Sequence, residues 1–126
     1  MSANQAWNTV QTELSNYLNF LGFYYCERKK HLEAIEFYDR AIKINPRCSM
    51  AYLSRGYNKA ELDLYDEAIK DLQIAEQLYN EQGDKVNSQY AQEILMLIKS
   101  GVFCTTPRKG IVQIEIVETH SCAGHI

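Results

Sequence analysis

The residue types best suited to chemistry gather toward the end of the chain, where His120, Cys122 and His125 follow Cys104. Imidazole nitrogen and thiolate sulfur are the donors of tetrahedral zinc sites, so these four suit zinc by type. Their spacing does not: H-x-C-x-x-H matches no ligand arrangement with a known mechanism, and the stretch reads as an unstructured tail. No metal is expected there. His31 falls in a turn whose counterpart downstream is Tyr65, and it reads as a packing residue with one wet edge. Cys26 and Cys48 lie on or beside helices and read as small core residues. The acids lie on helix faces beside Lys and Arg, the arrangement of solvated helices. There is no glycine-rich phosphate loop, no metalloprotease histidine pair and no nucleophile elbow. Neither an enzyme nor a cofactor is expected.

The bulk properties agree with a binding protein better than with a nucleic-acid partner. The chain has 126 residues, 46% of them hydrophobic and 23% charged, the profile of one ordinary globular domain. Its net charge of −3 and scattered basic residues argue against nucleic acid, which selects a basic patch. Arg28-Lys29-Lys30 is the one basic run and reads as a solvated helix end. No apolar run reaches the roughly 18–20 residues of a membrane span, and Met-Ser-Ala-Asn-Gln has neither the basic flank nor the apolar stretch of a secretory signal. Four cysteines without close pairing suggest no disulfide framework, so a cytoplasmic, reducing location is the expectation.

The elements that must position any site are helices. Over residues 4–29, Trp7, Val10, Leu14, Leu18, Leu21 and Tyr25 recur every three or four positions, an apolar stripe along one helix face. Gly22 interrupts it, and a glycine inside a helix invites close approach of a second helix. A second helix over about 32–44 turns Leu32, Ile35, Tyr38, Ala41 and Ile42 inward and stops at Asn45-Pro46. Ser49 is the expected N-cap of a third, about 50–62. A fourth, about 66–81, buries Ala68, Ile69, Leu72, Ala75 and Leu78, with Asp66-Glu67 at its positive end. Gly83 suits a left-handed cap. A fifth, about 85–99, is apolar along Tyr90, Ala91, Ile94, Leu95, Leu97 and Ile98 and polar along Gln89, Gln92, Glu93 and Lys99. Residues 111–118 alternate as a strand would, with Val112, Ile114 and Ile116 opposite Gln113 and Glu115, yet no second strand pattern exists to pair with it.

The sequence also repeats. Shifted by 34 residues, Gly22 falls on Gly56, Glu33 on Glu67, Ala34 on Ala68, Ile35 on Ile69 and Ala41 on Ala75. A fixed period of this size marks a solenoid of supersecondary units. Within 15–48, Leu18, Leu21-Gly22, Tyr25, Ala34, Tyr38, Ala41 and Pro46 stand where the tetratricopeptide repeat, a 34-residue helix-turn-helix unit, has its large, small, aromatic and proline positions. The segment resembles that repeat. Residues 49–82 resemble it through Tyr52, Gly56, Tyr65, Ala68 and Ala75, and depart at Lys59, Leu72 and Asn80. Loss of the proline at Asn80 lets the fourth helix run on toward Gly83. The Gln-Gly-Asp and Tyr-Ala-Gln runs are similar to the ends of small bacterial repeat proteins of this kind.

The resemblance implies an all-α fold of antiparallel helix-turn-helix repeats stacked as a short right-handed superhelix. Residues 1–14 would be an N-terminal helical extension, 15–48 and 49–82 the two repeats, 83–101 a capping helix, and 102–126 a tail with the 111–118 strand. It further implies a concave groove lined by the first helix of each pair. Helical periodicity places Asn16, Asn19, Phe23 and Glu27 there from the first repeat, and Met50, Leu53, Tyr57 and Glu61 from the second. Phe23 and Tyr57 are equivalent by the 34-residue shift and would give an apolar strip with acids at one edge. The carboxylate-clamp subfamily uses groove lysine, asparagine and arginine. Asn19, Phe23, Leu53 and Ser54 offer no such cation, and a carboxylate left without one gains too little to offset its desolvation. The expected function is an adaptor or scaffold binding a peptide or helix of another protein. The alternative is self-association into a homo-oligomer through the 111–118 strand, by pairing between copies or by addition to a partner's sheet edge.

Overall fold

A computed structural model describes residues 2–103. They form five α-helices in succession: α1 (Ala3–Glu27), α2 (His31–Ile44), α3 (Ser49–Glu61), α4 (Tyr65–Glu81) and α5 (Lys85–Lys99). Among the described residues there is no strand. The 111–118 segment lies outside them, as do Cys104, His120, Cys122 and His125. No described helix is long and apolar enough to cross a membrane.

Each helix starts and stops for a local reason. Ser2 opens α1 with a reciprocal capping box: its hydroxyl accepts from the Gln5 backbone N–H at 3.2 Å, and the Gln5 side chain accepts from the Ser2 N–H at 2.9 Å. Asp84 caps α5 by accepting from the Asn87 N–H at 3.1 Å. Lys29 and Asp63, 34 residues apart, take the same left-handed turn conformation, with φ of 60° and 62°. Gly83 supplies the left-handed cap after α4, with φ 74°. Without a proline at position 80, α4 runs to Glu81 and spans 17 residues against 14 for α2.

The expected N-cap Ser49 corrects by one position. Cys48 occupies the cap, and Ser49 is fully buried in the first turn of α3, its hydroxyl donating to Gln82 Oε1 at 3.0 Å. A bond to the end of α4 replaces the local cap.

Packing follows chain order, each helix lying mainly against its neighbours in sequence, with lighter contact from α1 to α3 and from α3 to α5. The repeat is visible in its contacts. A Cβ added at Gly22 would lie 2.5 Å from Tyr38 Cε1, and one at Gly56 would lie 2.9 Å from Leu72 Cγ. Tyr38 and Leu72 are themselves 34 apart, and both are fully buried. Both repeats nest glycine on one helix against a large side chain on the next. Ala34, Ala41, Ala68 and Ala75 are fully buried between the same helices.

The stripe assigned to α1 turns out differently. The helix faces its neighbours with Ser15, Asn19, Gly22 and Cys26, a line of small and polar residues that lets α2 approach closely. Trp7, Val10 and Leu14 are largely exposed, and Leu18, Leu21 and Tyr25 only partly buried. Bulky side chains would hold the helices apart, so they rotate to the flanks and the outside. Tyr25 settles against α2 by stacking on Phe37, centroids 5.3 Å apart.

Candidate partner-binding site

The eight residues assigned to the groove come from two equivalent stretches of α1 and α3. They separate by depth. Asn19, Met50, Leu53 and Tyr57 are buried; Asn16, Phe23 and Glu61 are half-buried; Glu27 is exposed. Phe23, Met50, Leu53 and Tyr57 belong to one core cluster, with Phe23 packed on its edge. Met50 is held on both sides by polar hydrogens, from the Ser54 hydroxyl at 3.4 Å and the Tyr79 hydroxyl at 3.9 Å.

Tyr57 has an unforeseen neighbour. The chain leaving α5 turns at Gly101 (φ 76°) and sets Phe103 edge-on to the Tyr57 ring, centroids 5.9 Å apart at 74°. Phe103 is itself only half-buried. Burial raises the Tyr57 phenol well above its usual range, and the nearby carboxylates of Glu61 and Glu27 push in the same direction. An acidic edge therefore lies beside the ring, supplied by two positions 34 residues apart.

His31 packs where one turn meets the next repeat. Its Nδ1 donates to Asn58 Oδ1 at 2.7 Å, Asn58 Nδ2 donates to the Ser54 carbonyl at 2.8 Å, and His31 Nε2 stands 3.8 Å from Glu61 Oε2. Cys26 is buried, and desolvation pushes its thiol up to about 11, partly offset by Asn58. A thiol held neutral at physiological pH is a packing group, not a nucleophile. Among the described residues no cluster of three or more His, Cys, Asp or Glu side chains is placed to hold a metal.

On the opposite side of α3 an ion-pair network escaped the sequence reading, which left the acids solvated. Asp71 is buried and takes a two-pronged contact from Arg55, Nε to Oδ2 at 2.8 Å and Nη2 to Oδ1 at 2.7 Å, with Lys59 Nζ 3.2 Å from Oδ2. Arg55 also reaches Asp39 on α2 at 2.9 Å. Burial works against the Arg55 charge, but Asp71 and Asp39 raise its pKa further above its ordinary value. The available signal was the 16-residue spacing shared by Arg55–Asp71 and Asp39–Arg55, which spans adjacent helices.

Residues 15–48, the first repeat, match the family model of the tetratricopeptide repeat. That match and the five-helix, all-helical architecture fit a protein of the tetratricopeptide-repeat type, a class that mediates protein–protein contact. Comparisons with curated proteins and with solved structures found no match.

Proposed function

We propose that the protein is a non-enzymatic adaptor that holds a peptide or helix of another protein along the facing sides of α1 and α3. Met50, Leu53, Tyr57 and Asn19 form the floor in this reading, with the Glu61 side chain buried beside His31; Phe23, Asn16 and Glu27 form the rim a partner touches. The observation that carries it is Phe103. Phe103, beyond the end of α5, sits edge-on against Tyr57, which supports a face able to seat an aromatic from outside the five packed helices. An apolar anchor in a pocket with a polar rim is how small interfaces concentrate their affinity. The exposed Glu27 at the rim favours a partner with a basic residue beside its anchor.

A photo-crosslinking phenylalanine analogue at position 23 tests this directly, with the same analogue at the exposed Lys70 on α4 as control. Position 23 is expected to capture a discrete partner, and Phe103→Ala to raise the yield several-fold by vacating the seat on Tyr57. Equal capture from both positions overturns the reading.

A further inference from the structure

The two ends of the helical stack are finished differently. The outer face of α5 is wet, carrying Lys85, Gln89, Gln92, Glu93 and Lys99 around isolated Val86 and Met96. That is how a repeat array seals a free end. Among the described residues the outer face of α1 has no such seal. Trp7, Val10, Tyr17 and Phe20 are each half or more exposed, and Leu14 and Tyr24 nearly so. From Ala3 to Tyr24 the helix carries one charged residue, Glu13.

The spacing on this face is regular. Trp7, Val10, Leu14, Tyr17, Leu21 and Tyr24 follow at intervals of three, four, three, four and three, the seam of a left-handed helix pair. The seam is also self-complementary. Laid antiparallel on itself about a point between Leu14 and Tyr17, Trp7 meets Tyr24, Val10 meets Leu21, and Leu14 meets Tyr17. Every position finds an apolar partner at once, and each aliphatic lies against a larger or branched side chain. A parallel pairing would bring the two Arg28-Lys29-Lys30 runs side by side; the antiparallel one sends them to opposite ends. The area is of the right order: the three rings of the seam and Phe20 at its edge, each about half exposed, offer on the order of 100 Å² apiece. Two such faces, with the aliphatics between them, approach the roughly 1,200 Å² of a specific interface.

We infer that this face is a homodimer interface: α1 pairs antiparallel with α1 of a second copy, joining two double-repeat stacks end to end. The pairing supplies the neighbour that a two-repeat array lacks, since about three repeats are the usual minimum for a stable solenoid.

Sedimentation equilibrium of the full chain across micromolar concentrations tests it. The expected mass is twice the 14.6 kDa of the monomer. A Leu14→Glu/Tyr17→Glu chain and a Leu14→Lys/Tyr17→Lys chain should each run at half the dimer mass with helical circular dichroism retained, and should form a heterodimer when mixed. The mixing arm guards against simple misfolding, because chains that fail to fold do not recover by pairing. A photo-crosslinker at Trp7 should reach the Tyr24 peptide of the other copy, fixing the antiparallel register. A monomeric wild type, or a dimer indifferent to both charged variants, overturns the inference; the latter outcome would move self-association to another surface.

Discussion

Gly22 shows how little room one residue position leaves. The Cβ of alanine there would overlap Tyr38, which is fully buried and has nowhere to go. Gly22→Ala should lower unfolding free energy by about 1–3 kcal/mol as an overpacked site, even though alanine gains up to ~1 kcal/mol in helix preference. A double-mutant cycle with Tyr38→Leu isolates the cause: the pair should cost clearly less than the sum of the two singles. Gly83→Ala is the contrast. It meets no atom within 4 Å, so its cost comes from φ 74° alone, about 1–2 kcal/mol, and no partner substitution should rescue it. Glycine, alanine and proline positions at the 34-residue period were legible in the sequence because each has one steric meaning. The depth of Tyr57 was not legible. One of its neighbours is Phe103, 46 positions away and outside the repeat.

Between elements, α2, α3 and α4 are tied by Arg55 as well as by apolar contact. The Asp71 side chain is 5% exposed and that of Arg55 18%, so removing the acid leaves a cation with little water and only the half-exposed Asp39 to turn to. Asp71→Ala should destabilise by roughly 2–4 kcal/mol, with weak dependence on salt. Glu81→Ala, which breaks an Arg47 pair whose side chains are 54% and 44% exposed, should stay within about 0.5 kcal/mol. Chemical denaturation of the two variants side by side checks the ranking. Helix boundaries were readable to within one or two residues, since caps and turn residues act locally. The rotation of α1 about its axis was not. Two lines run along that helix, one bulky and one small, and hydrophobicity alone points to the bulky line as the core. Close helix packing selects the small one instead, because Gly22 and Ser15 admit the neighbouring backbone where Trp7 or Leu14 would not.

At the scale of the whole molecule, the core is expected to lose stability in alkali. Cys26, Tyr38, Tyr57 and Tyr79 are buried, and burial raises the pKa of all four. Each is a neutral acid that the folded state keeps protonated longer than the unfolded chain does, so the fold binds more protons and loses stability as pH rises. Stability should hold up to about the ordinary thiol value of 9.0, fall as pH rises toward 11, and fall more steeply above the ordinary phenol value of 10.0. Denaturant midpoints followed from neutral to alkaline pH check this, and Cys26→Ala should delay the onset to the phenol range. The same view of the molecule gives its unlike ends a further meaning. Surfaces that differ at head and tail normally invite head-to-tail growth, and such growth has no built-in stop unless it closes into a ring. Among the described residues the outer face of α5 is wet and that of α1 matches itself, so the proposed pairing would join head to head and turn both α5 helices outward. Among the described residues the proposed product would offer no site for a third copy, so the helix face proposed to drive association would also cap it at two.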